Sequence, residues 1–155
     1  MKNKETIYKI TSIVLLLDQV IKLLIGKSMA LYERITIIPK FFSIYFVKNT
    51  GAAFSILEDN TILLIIISVI FIIVLNEYIK REQNISKLSK ISLGMILGGI
   101  FGNLLDRIIH HAVLDYLSFN IINYEFPVFN LADINITVGM CLFLLDMLLE
   151  KKRKE

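Results

Sequence analysis

The stretch that decides the fold runs from Gly102 to Asp133 and reads GNLLDRIIHHAVLDYLSFNIINYEFPVFNLAD. It carries acidic side chains and amides between two hydrophobic segments, one ending near Ile109 and one beginning near Leu131. A carboxylate at the end of a membrane-crossing segment is costly, so its presence needs a reason. We single out Asp115 and Asp133, because they lie at segment ends that face the same side of the predicted membrane.

On both sides of this stretch the sequence forms hydrophobic segments, four in all, at about residues 7–25, 61–79, 88–109 and 131–149. Each is close to the ~20 residues that a helix needs to cross a bilayer. The chain of 155 residues is 55% hydrophobic and 20% charged, with a mean hydropathy of +0.68, which is too apolar for an ordinary soluble domain. We therefore predict an all-α membrane protein with four transmembrane helices, forming a single domain over residues 1–155.

Lysine and arginine residues predict the orientation, because cytoplasmic flanks of membrane segments carry them in excess. Eleven of the 17 lie before or at the start of segment one, between segments two and three or at the start of segment three, or after segment four, so both termini are expected in the cytoplasm. The same placement accounts for the net charge of +3 without nucleic-acid binding.

The first outer loop, about residues 26–60, alternates roughly between apolar and polar residues, with breaks at Pro39 and Thr50-Gly51. This pattern predicts a small extracytoplasmic β-sheet, or cradle, between helices one and two. The second outer loop, at about residues 110–130, is expected to be a short connection that holds Asp115. Glycines at positions 94, 98, 99 and 102 have the spacing of close helix contacts.

Polar residues from four separate parts of the chain are predicted to lie at one depth, near the outer membrane surface. Segments one and three run outward and segment four runs inward, so their polar residues gather at the outer ends. Asn130 is expected to cap the fourth helix, with Asp133 in its first turn. The set comprises Asp18, Asn49, Asn103, Asp106, Arg107, Asp115, Asn130 and Asp133.

The residue types in this set favour carboxylate chemistry. No serine lies near a base at a useful spacing, and the adjacent His110 and His111 point to different faces, unlike an HxxxH metal site. Two carboxylates about 3 Å apart cannot both ionise, so they share one proton. One then deprotonates water while the other donates to the scissile carbonyl, with no covalent intermediate. The single cysteine, Cys141, excludes an internal disulfide and a cysteine-cluster metal site.

Structural roles compete for several of these residues. Asp18 can pair with Lys22 four positions on, and Asp106 can pair with Arg107 as part of the scaffold. Asp146 lies near Lys151 and the inner surface, so we interpret it as structural. Asp115 and Asp133, each taken alone, also fit an ordinary loop charge and a helix-start charge.

Two other functions remain open at this point. A small transporter would use the acidic residues as a proton relay, but it would spread them through the membrane depth. A non-enzymatic assembly protein would use polar residues to join helices, and it would have no need of the Asp115 carboxylate. Replacing Asp115 by Asn separates these functions from a protease.

The motifs resemble those of bacterial lipoprotein signal peptidase, the signal peptidase II family of aspartic membrane proteases. They are DQxxK from Asp18 to Lys22, NTGAAFS from Asn49 to Ser55, GNLLDR from Gly102 to Arg107, a VxD element from Val113 to Asp115, and FPVFNLAD from Phe126 to Asp133. Five weak motifs in this order, over nearly the whole chain, make the resemblance specific. The chain departs from the family where VVDF becomes VLDY and where Ile134-Asn135 replaces small hydroxyl residues.

The resemblance implies that Asp115 and Asp133 form a catalytic dyad within a supporting, substrate-binding shell of the other six polar residues. It implies an endopeptidase that removes the signal peptide of prolipoproteins just before a cysteine carrying diacylglycerol. The expected location is the bacterial cytoplasmic (inner) membrane, with the site at the extracytoplasmic face.

The resemblance also implies the partners: prolipoprotein substrates, membrane lipids and globomycin-type inhibitors, with no nucleic acid, metal or organic cofactor. The protein is expected to act as a monomer. Lateral entry of a lipidated substrate requires apolar walls, for which the candidates are Phe41, Phe42, Phe54, Phe126 and Phe129.

Overall fold

The computed structural model describes residues 2–51, 57–58, 60–122 and 124–154, with side chains from residue 4 to residue 150 within those ranges. These ranges contain the helices α1 Lys2–Ser28, α2 Thr61–Arg81, α3 Lys87–His110 and α4 Leu131–Lys154. They also contain the strands β1 Arg34–Ile38, β2 Phe42–Asn49, β3 Val113–Ile121 and β4 Tyr124–Glu125. Each predicted hydrophobic segment lies in one of the helices, so the prediction of a mostly helical protein with a small sheet is confirmed.

Three of the described helices, α2, α3 and α4, are long and apolar enough to cross a membrane. Helix α1 is not among them, because Asp18 and Lys22 interrupt its apolar run. Both of these side chains are buried, at 0% and 2% exposed, whereas Leu16, Leu23 and Leu24 of the same helix are exposed. The charged residues of α1 therefore face the interior of the bundle, and the outward strip of the helix is apolar.

Helix α3 is central and packs against α1, α2 and α4. A Cβ atom at Gly98 would lie 2.6 Å from Val14 Cβ of α1, and one at Gly99 would lie 2.5 Å from Ala132 O of α4. Both distances are too short for a side chain, so glycine lets the helices approach closely. The predicted packing role of these glycines is confirmed.

The sheet is antiparallel in the order β1-β2-β3-β4. The predicted sheet between helices one and two is confirmed by β1 and β2, and it is larger than predicted, because β3 and β4 from the segment between α3 and α4 extend it. Strand β3 pairs with β2 over most of its length, with Phe42 opposite Phe119 and Asn49 opposite Val113. This pairing joins segments that α2 and α3 separate in the chain, and it moves Asp115 from a predicted loop into an inner strand.

Candidate active site

The turn from α3 into β3 sets the position of Asp115. His111 ends α3 in a left-handed conformation (φ 55°), and its backbone N–H donates to Arg107 O. Two residues later β3 begins, and the backbone N–H of Leu114 donates to Asp106 Oδ2 at 3.1 Å. The carboxylate of Asp106 thus ties the start of β3 to α3, one residue before Asp115.

Asp115 is almost fully buried and is held by two amides. Asn49 Nδ2 donates to its Oδ2 at 3.0 Å, and Asn130 Nδ2 donates to its Oδ1 at 2.7 Å. Burial raises the pKa of Asp115 to about 7; the negative charge of Asp133 acts in the same direction, and the two amide donors act against it. Asp115 therefore exchanges a proton near neutral pH.

Asp133 lies in the first turn of α4, where the helix dipole favours a negative charge. Its backbone N–H donates to Asn130 Oδ1 at 2.9 Å, and its Oδ2 accepts from the backbone N–H of Asn130 at 3.1 Å. The predicted reciprocal cap is confirmed. Asn103 Nδ2 donates to the other carboxylate oxygen at 2.7 Å, so both oxygens of Asp133 have a donor.

Asn130 is fully buried and connects the two carboxylates. The chain before it is tied back to β3, because the backbone N–H of Leu117 donates to Phe129 O at 2.8 Å and that of Phe129 donates to Leu117 O at 3.1 Å. This bridge brings Asn130 beside the middle of β3. Its side-chain nitrogen therefore reaches Asp115, while its oxygen and backbone N–H cap the helix that carries Asp133.

A buried cation lies on the α1 side of the network. Lys22 Nζ is 2.8 Å from a carboxylate oxygen of Asp18 and 2.8 Å from one of Asp106, and it donates to Asn103 Oδ1 at 3.2 Å. The pairing of Asp18 with Lys22 is confirmed. The pairing of Asp106 with Arg107 was wrong, because neighbouring residues of a helix point about 100° apart and Lys22 reaches Asp106 from the facing helix.

Two residues of the network, Gln19 and Lys22, were not in the predicted site. Gln19 Nε2 donates to Asp18 Oδ2 at 3.2 Å, to Asp106 Oδ1 at 3.1 Å and to Gly102 O at 3.3 Å. The DQxxK spacing was the available signal, since it puts three polar side chains near one another inside an apolar helix.

Arg107 approaches the same region from the last turn of α3. Its Nη2 donates to Gly51 O at 3.1 Å, and its Nη1 makes a longer contact of 3.4 Å with Asn103 O. Its Nε is buried and has no hydrogen-bond partner among the described residues. Through these bonds all eight predicted polar residues, with Gln19 and Lys22, form one connected cluster.

A cavity of about 980 Å³ opens beside this cluster. Its walls are formed by the end of β2, the start of β3, the C-terminal part of α3, the first turns of α4 and residues 126–129. Asp115 and Asp133 both line it, and so do Asn49, Asn103 and Arg107. A ligand in this space therefore meets both carboxylates, three donor side chains and an apolar wall.

The predicted apolar walls are only partly formed by the residues proposed for them. Phe126 and Phe129 line the cavity. Phe41 and Phe42 lie farther along the sheet, where their rings contact Phe119 at centroid distances of 5.6 and 4.7 Å. Phe54 lies outside the described residues, as do the neighbouring positions 52, 53, 55 and 56.

The positions that depart from the family motifs have defined structural roles. Leu114 packs in an apolar cluster with Met29 and Phe46. The hydroxyl of Tyr116 accepts the backbone N–H of Leu131 at 3.2 Å, at the first residue of α4. Ile134 lines the cavity, and Asn135 Nδ2 donates to Leu131 O within α4. None of these contacts is made to the carboxylate of Asp115 or Asp133.

Asp146 lies apart from this cluster. It accepts from Ser89 Oγ at 2.5 Å and from the Ser86 hydroxyl at the start of α3. It lies more than three turns beyond Asp133 in α4, which is about 20 Å along a helix. Within the described ranges, no group of three or more His, Cys, Asp and Glu side chains is arranged to hold a metal ion.

Comparisons with known proteins agree with this arrangement. The family model described as signal peptidase (SPase) II matches residues 10–149. A lipoprotein signal peptidase from Symbiobacterium thermophilum is 37% identical over 141 residues, which cover 91% of this chain and 93% of that protein.

Two solved structures described as bacterial membrane enzymes studied by the in meso method are also similar to the chain. One has a TM-score of 0.89 with 30% identity and covers 97% of this chain and 92% of the other. The second has a TM-score of 0.83 with 30% identity and covers 93% of both chains.

Proposed function

Because the chain belongs to the signal peptidase II family of peptidases, we propose that it removes signal peptides from diacylglyceryl-modified prolipoproteins as an aspartic endopeptidase. Cleavage would occur just before the lipidated cysteine. Water attacks the scissile carbonyl, and the two carboxylates of Asp115 and Asp133 manage its protons. The whole chain forms one integral-membrane peptidase domain.

One observation carries this proposal: Asp115 and Asp133 line the same cavity, and a single buried asparagine bonds to both. They come from different elements, a strand and a helix N-terminus, and the chain between them turns back on itself to bring them together. A structural charge in a loop needs no such arrangement. Two carboxylates facing one space are what general acid–base attack by water requires.

The environments of the two carboxylates support a division of roles. Asp115 is 2% exposed and has a pKa raised to about 7 by burial, so we assign it the neutral state and the role of acid toward the scissile carbonyl. Asp133 is partly exposed, lies at a helix N-terminus and accepts two N–H bonds, so we assign it the ionised state and the role of base.

The charge balance of the cluster supports a shared proton. Its cations are Lys22 and Arg107, and its carboxylates are those of Asp18, Asp106, Asp115 and Asp133. With every carboxylate ionised, this buried region carries a net charge of −2. One proton on the dyad reduces the imbalance to −1, which lowers the electrostatic cost of burying the region.

The substrate's chemistry suits the position of the cavity. A lipidated cysteine holds its scissile bond at a membrane surface, and we place the dyad at the extracytoplasmic surface of the bacterial cytoplasmic membrane. Helix α1 serves as the fourth transmembrane helix, since its buried charges face α3 and its exposed strip is apolar. The excess of Lys and Arg at the opposite ends of the helices puts both termini in the cytoplasm.

Arg107 and the phenylalanines supply substrate contacts in this proposal. Arg107 lines the cavity beside the dyad, so its guanidinium group can donate to a peptide carbonyl of the substrate. Phe126 and Phe129 provide an apolar wall for the signal-peptide side chains or the lipid. Globomycin-type inhibitors would occupy the same cavity, and one chain contains the whole site, so the protein works as a monomer.

The experiment is a cleavage assay on purified protein in detergent. A diacylglyceryl-modified prolipoprotein is incubated with wild type, Asp115→Asn and Asp133→Asn, and mass spectrometry locates the cut. We expect wild type to release a product that begins at the lipidated cysteine, and we expect no product from either variant.

The matched control is Asp146→Asn, because it also removes a buried carboxylate but one bonded to serines about 20 Å from the dyad. It should cleave normally while losing thermal stability. Wild type that is folded and does not cut a validated substrate would refute the proposal, as would cutting at another bond.

A further inference from the structure

Three asparagine side chains present their NH₂ groups to the two carboxylates, and a side-chain amide can rotate to exchange its oxygen and nitrogen unless a neighbour fixes it. In Asn49, Oδ1 accepts the backbone N–H of Gly51 at 2.9 Å. In Asn130, Oδ1 accepts the backbone N–H of Asp133 at 2.9 Å. A backbone N–H can only donate, so each of these amides must turn its nitrogen toward Asp115.

Asn103 lacks such a backbone anchor among the described residues. Its Oδ1 accepts from Lys22 Nζ at 3.2 Å and from Asn130 Nδ2 at 3.1 Å, while its Nδ2 donates to Asp133 at 2.7 Å. An ammonium group carries donors and no acceptor. Lys22 and the fixed Asn130 amide therefore both require Oδ1 of Asn103 as their acceptor, and Lys22 is the charged one of these two donors.

We propose that Lys22 is a positioning residue for the reaction, which holds the Asn103 amide so that its nitrogen faces Asp133. This inference rests on the proposed function, in which Asp133 is the base. Lys22 is itself fixed, because it is 2% exposed and lies 2.8 Å from carboxylate oxygens of both Asp18 and Asp106. Two hydrogen bonds thus connect α1 to α4 through the Asn103 side chain of α3.

Without the ammonium group, only the Asn130 NH₂ group holds Oδ1 of Asn103, so the Asn103 amide turns its oxygen toward Asp133 more readily. That contact sets an oxygen dipole against a carboxylate and removes one of its donors. The ionised form of Asp133, which must take a proton from the attacking water, then becomes less favourable. The charged and titratable groups around this path are Asp18 on α1, Asp106 and Arg107 on α3, Asp115 and Tyr116 on β3, and Asp133 on α4.

The alternative is that Lys22 only neutralises the two buried carboxylates next to it. A charge-balanced pair of variants separates the two roles. Lys22→Met leaves Asp18 and Asp106 buried without their cation, so both stability and activity should fall. Lys22→Met combined with Asp18→Asn removes one charge of each sign and keeps the net charge of the region.

We expect the double variant to regain part of the thermal stability lost by Lys22→Met, since Asp106 stays buried without its cation. Its kcat should remain about 10- to 100-fold below wild type, with KM within about threefold, as for loss of a hydrogen bond to the reacting group. The acidic limb of its kcat–pH profile should move to higher pH. A neutralising role predicts instead that the double variant has the kcat and pH profile of wild type, and this result would overturn the inference.

Lys22→Arg covers the case in which the double variant does not fold, because a guanidinium group also only donates. A folded Lys22→Arg enzyme should keep the acidic limb where wild type has it, and a moved limb would count against the inference. Wild-type enzyme serves as the reference throughout. If wild type cleaves no prolipoprotein, the proposed function fails; if wild type and the double variant cleave equally, only the role of Lys22 fails.

Discussion

Asn130 is the residue whose replacement tests the architecture of the site most sharply. Its side chain makes three bonds: Oδ1 accepts from Asp133 N at 2.9 Å, and Nδ2 donates to Asp115 at 2.7 Å and to Asn103 at 3.1 Å. The first bond caps α4, and the other two orient groups of the cavity. Substitutions that keep one function and remove the other can therefore be chosen.

Asn130→Ala removes all three bonds. Loss of the cap costs about 0.5–2 kcal/mol. The bonds to Asp115, which we assign as neutral, and to Asn103 are worth about 0.5–1.5 kcal/mol each. We expect the free energy of unfolding to fall by about 2–5 kcal/mol and kcat to fall by about 10²-fold or more, as for loss of an oriented donor.

Asn130→Asp keeps the cap, because aspartate is as good an N-cap as asparagine. It replaces the Nδ2 donor with an acceptor that faces Asp115. At pH 7 the new carboxylate is fully buried beside Asp115 and Asp133, so we expect the thermal midpoint to fall in spite of the intact cap, and kcat to fall by about 10²-fold. Activity should recover partly at low pH, since a protonated carboxyl can donate again.

The assay is prolipoprotein cleavage across pH, with thermal unfolding followed in the same detergent. Asn130→Asp with wild-type kcat at pH 7 would refute the reasoning, because Asp115 would then need no donor from this position. A similar loss of stability in Asn130→Ala and Asn130→Asp at low pH, where the introduced carboxyl is protonated, would show that capping is not the stabilising contribution.

Three further predictions follow from single contacts. Cleavage should slow above about pH 7 as Asp115 loses its proton, which is measured as the basic limb of the kcat–pH profile. The free energy of unfolding should also fall as pH rises from about 4 to about 7. The reason is that the raised pKa of Asp115 makes the folded protein bind this proton more tightly than the unfolded chain does. Gly102→Ala should reduce both stability and cleavage, because a Cβ atom there overlaps the carboxylate of Asp18, and thermal unfolding of Gly26→Ala, whose Cβ would be 4.0 Å from the nearest side chain, is the control. Tyr116→Phe removes the acceptor of the Leu131 N–H and should cost about 1 kcal/mol of unfolding free energy with little change in kcat; a large loss of kcat would give the hydroxyl a role in the chemistry.

The helices could be predicted from the sequence because their signal is local. Long, mostly apolar runs gave the approximate positions of the helices, and the few polar residues within these runs indicated where the helices meet. The cap at Asn130 was readable for the same reason, since Asp133 follows at the spacing of a capping box. Local chemistry decided each of these features.

The sheet and the ion pairs could not be predicted as well, because they depend on contacts between distant segments. Strand β3 is recognisable once β2 lies beside it, and no pattern within residues 113–121 identifies that partner. In the same way, Asp106 has an arginine next to it in sequence, but its cation is Lys22, which lies on another helix far back in the chain. In both cases the partner is distant in sequence and is determined by tertiary packing.

The central claim is that Asp115 and Asp133 carry out the chemistry and do not merely hold the site together. Single-turnover cleavage of a diacylglyceryl-modified prolipoprotein, with enzyme in excess, measures the chemical step for wild type, Asp115→Asn and Asp133→Asn. We predict that both variants bind the substrate with an affinity near that of wild type and cleave it at least about 10²-fold more slowly. A folded variant of either residue that cleaves at the wild-type rate would contradict the account.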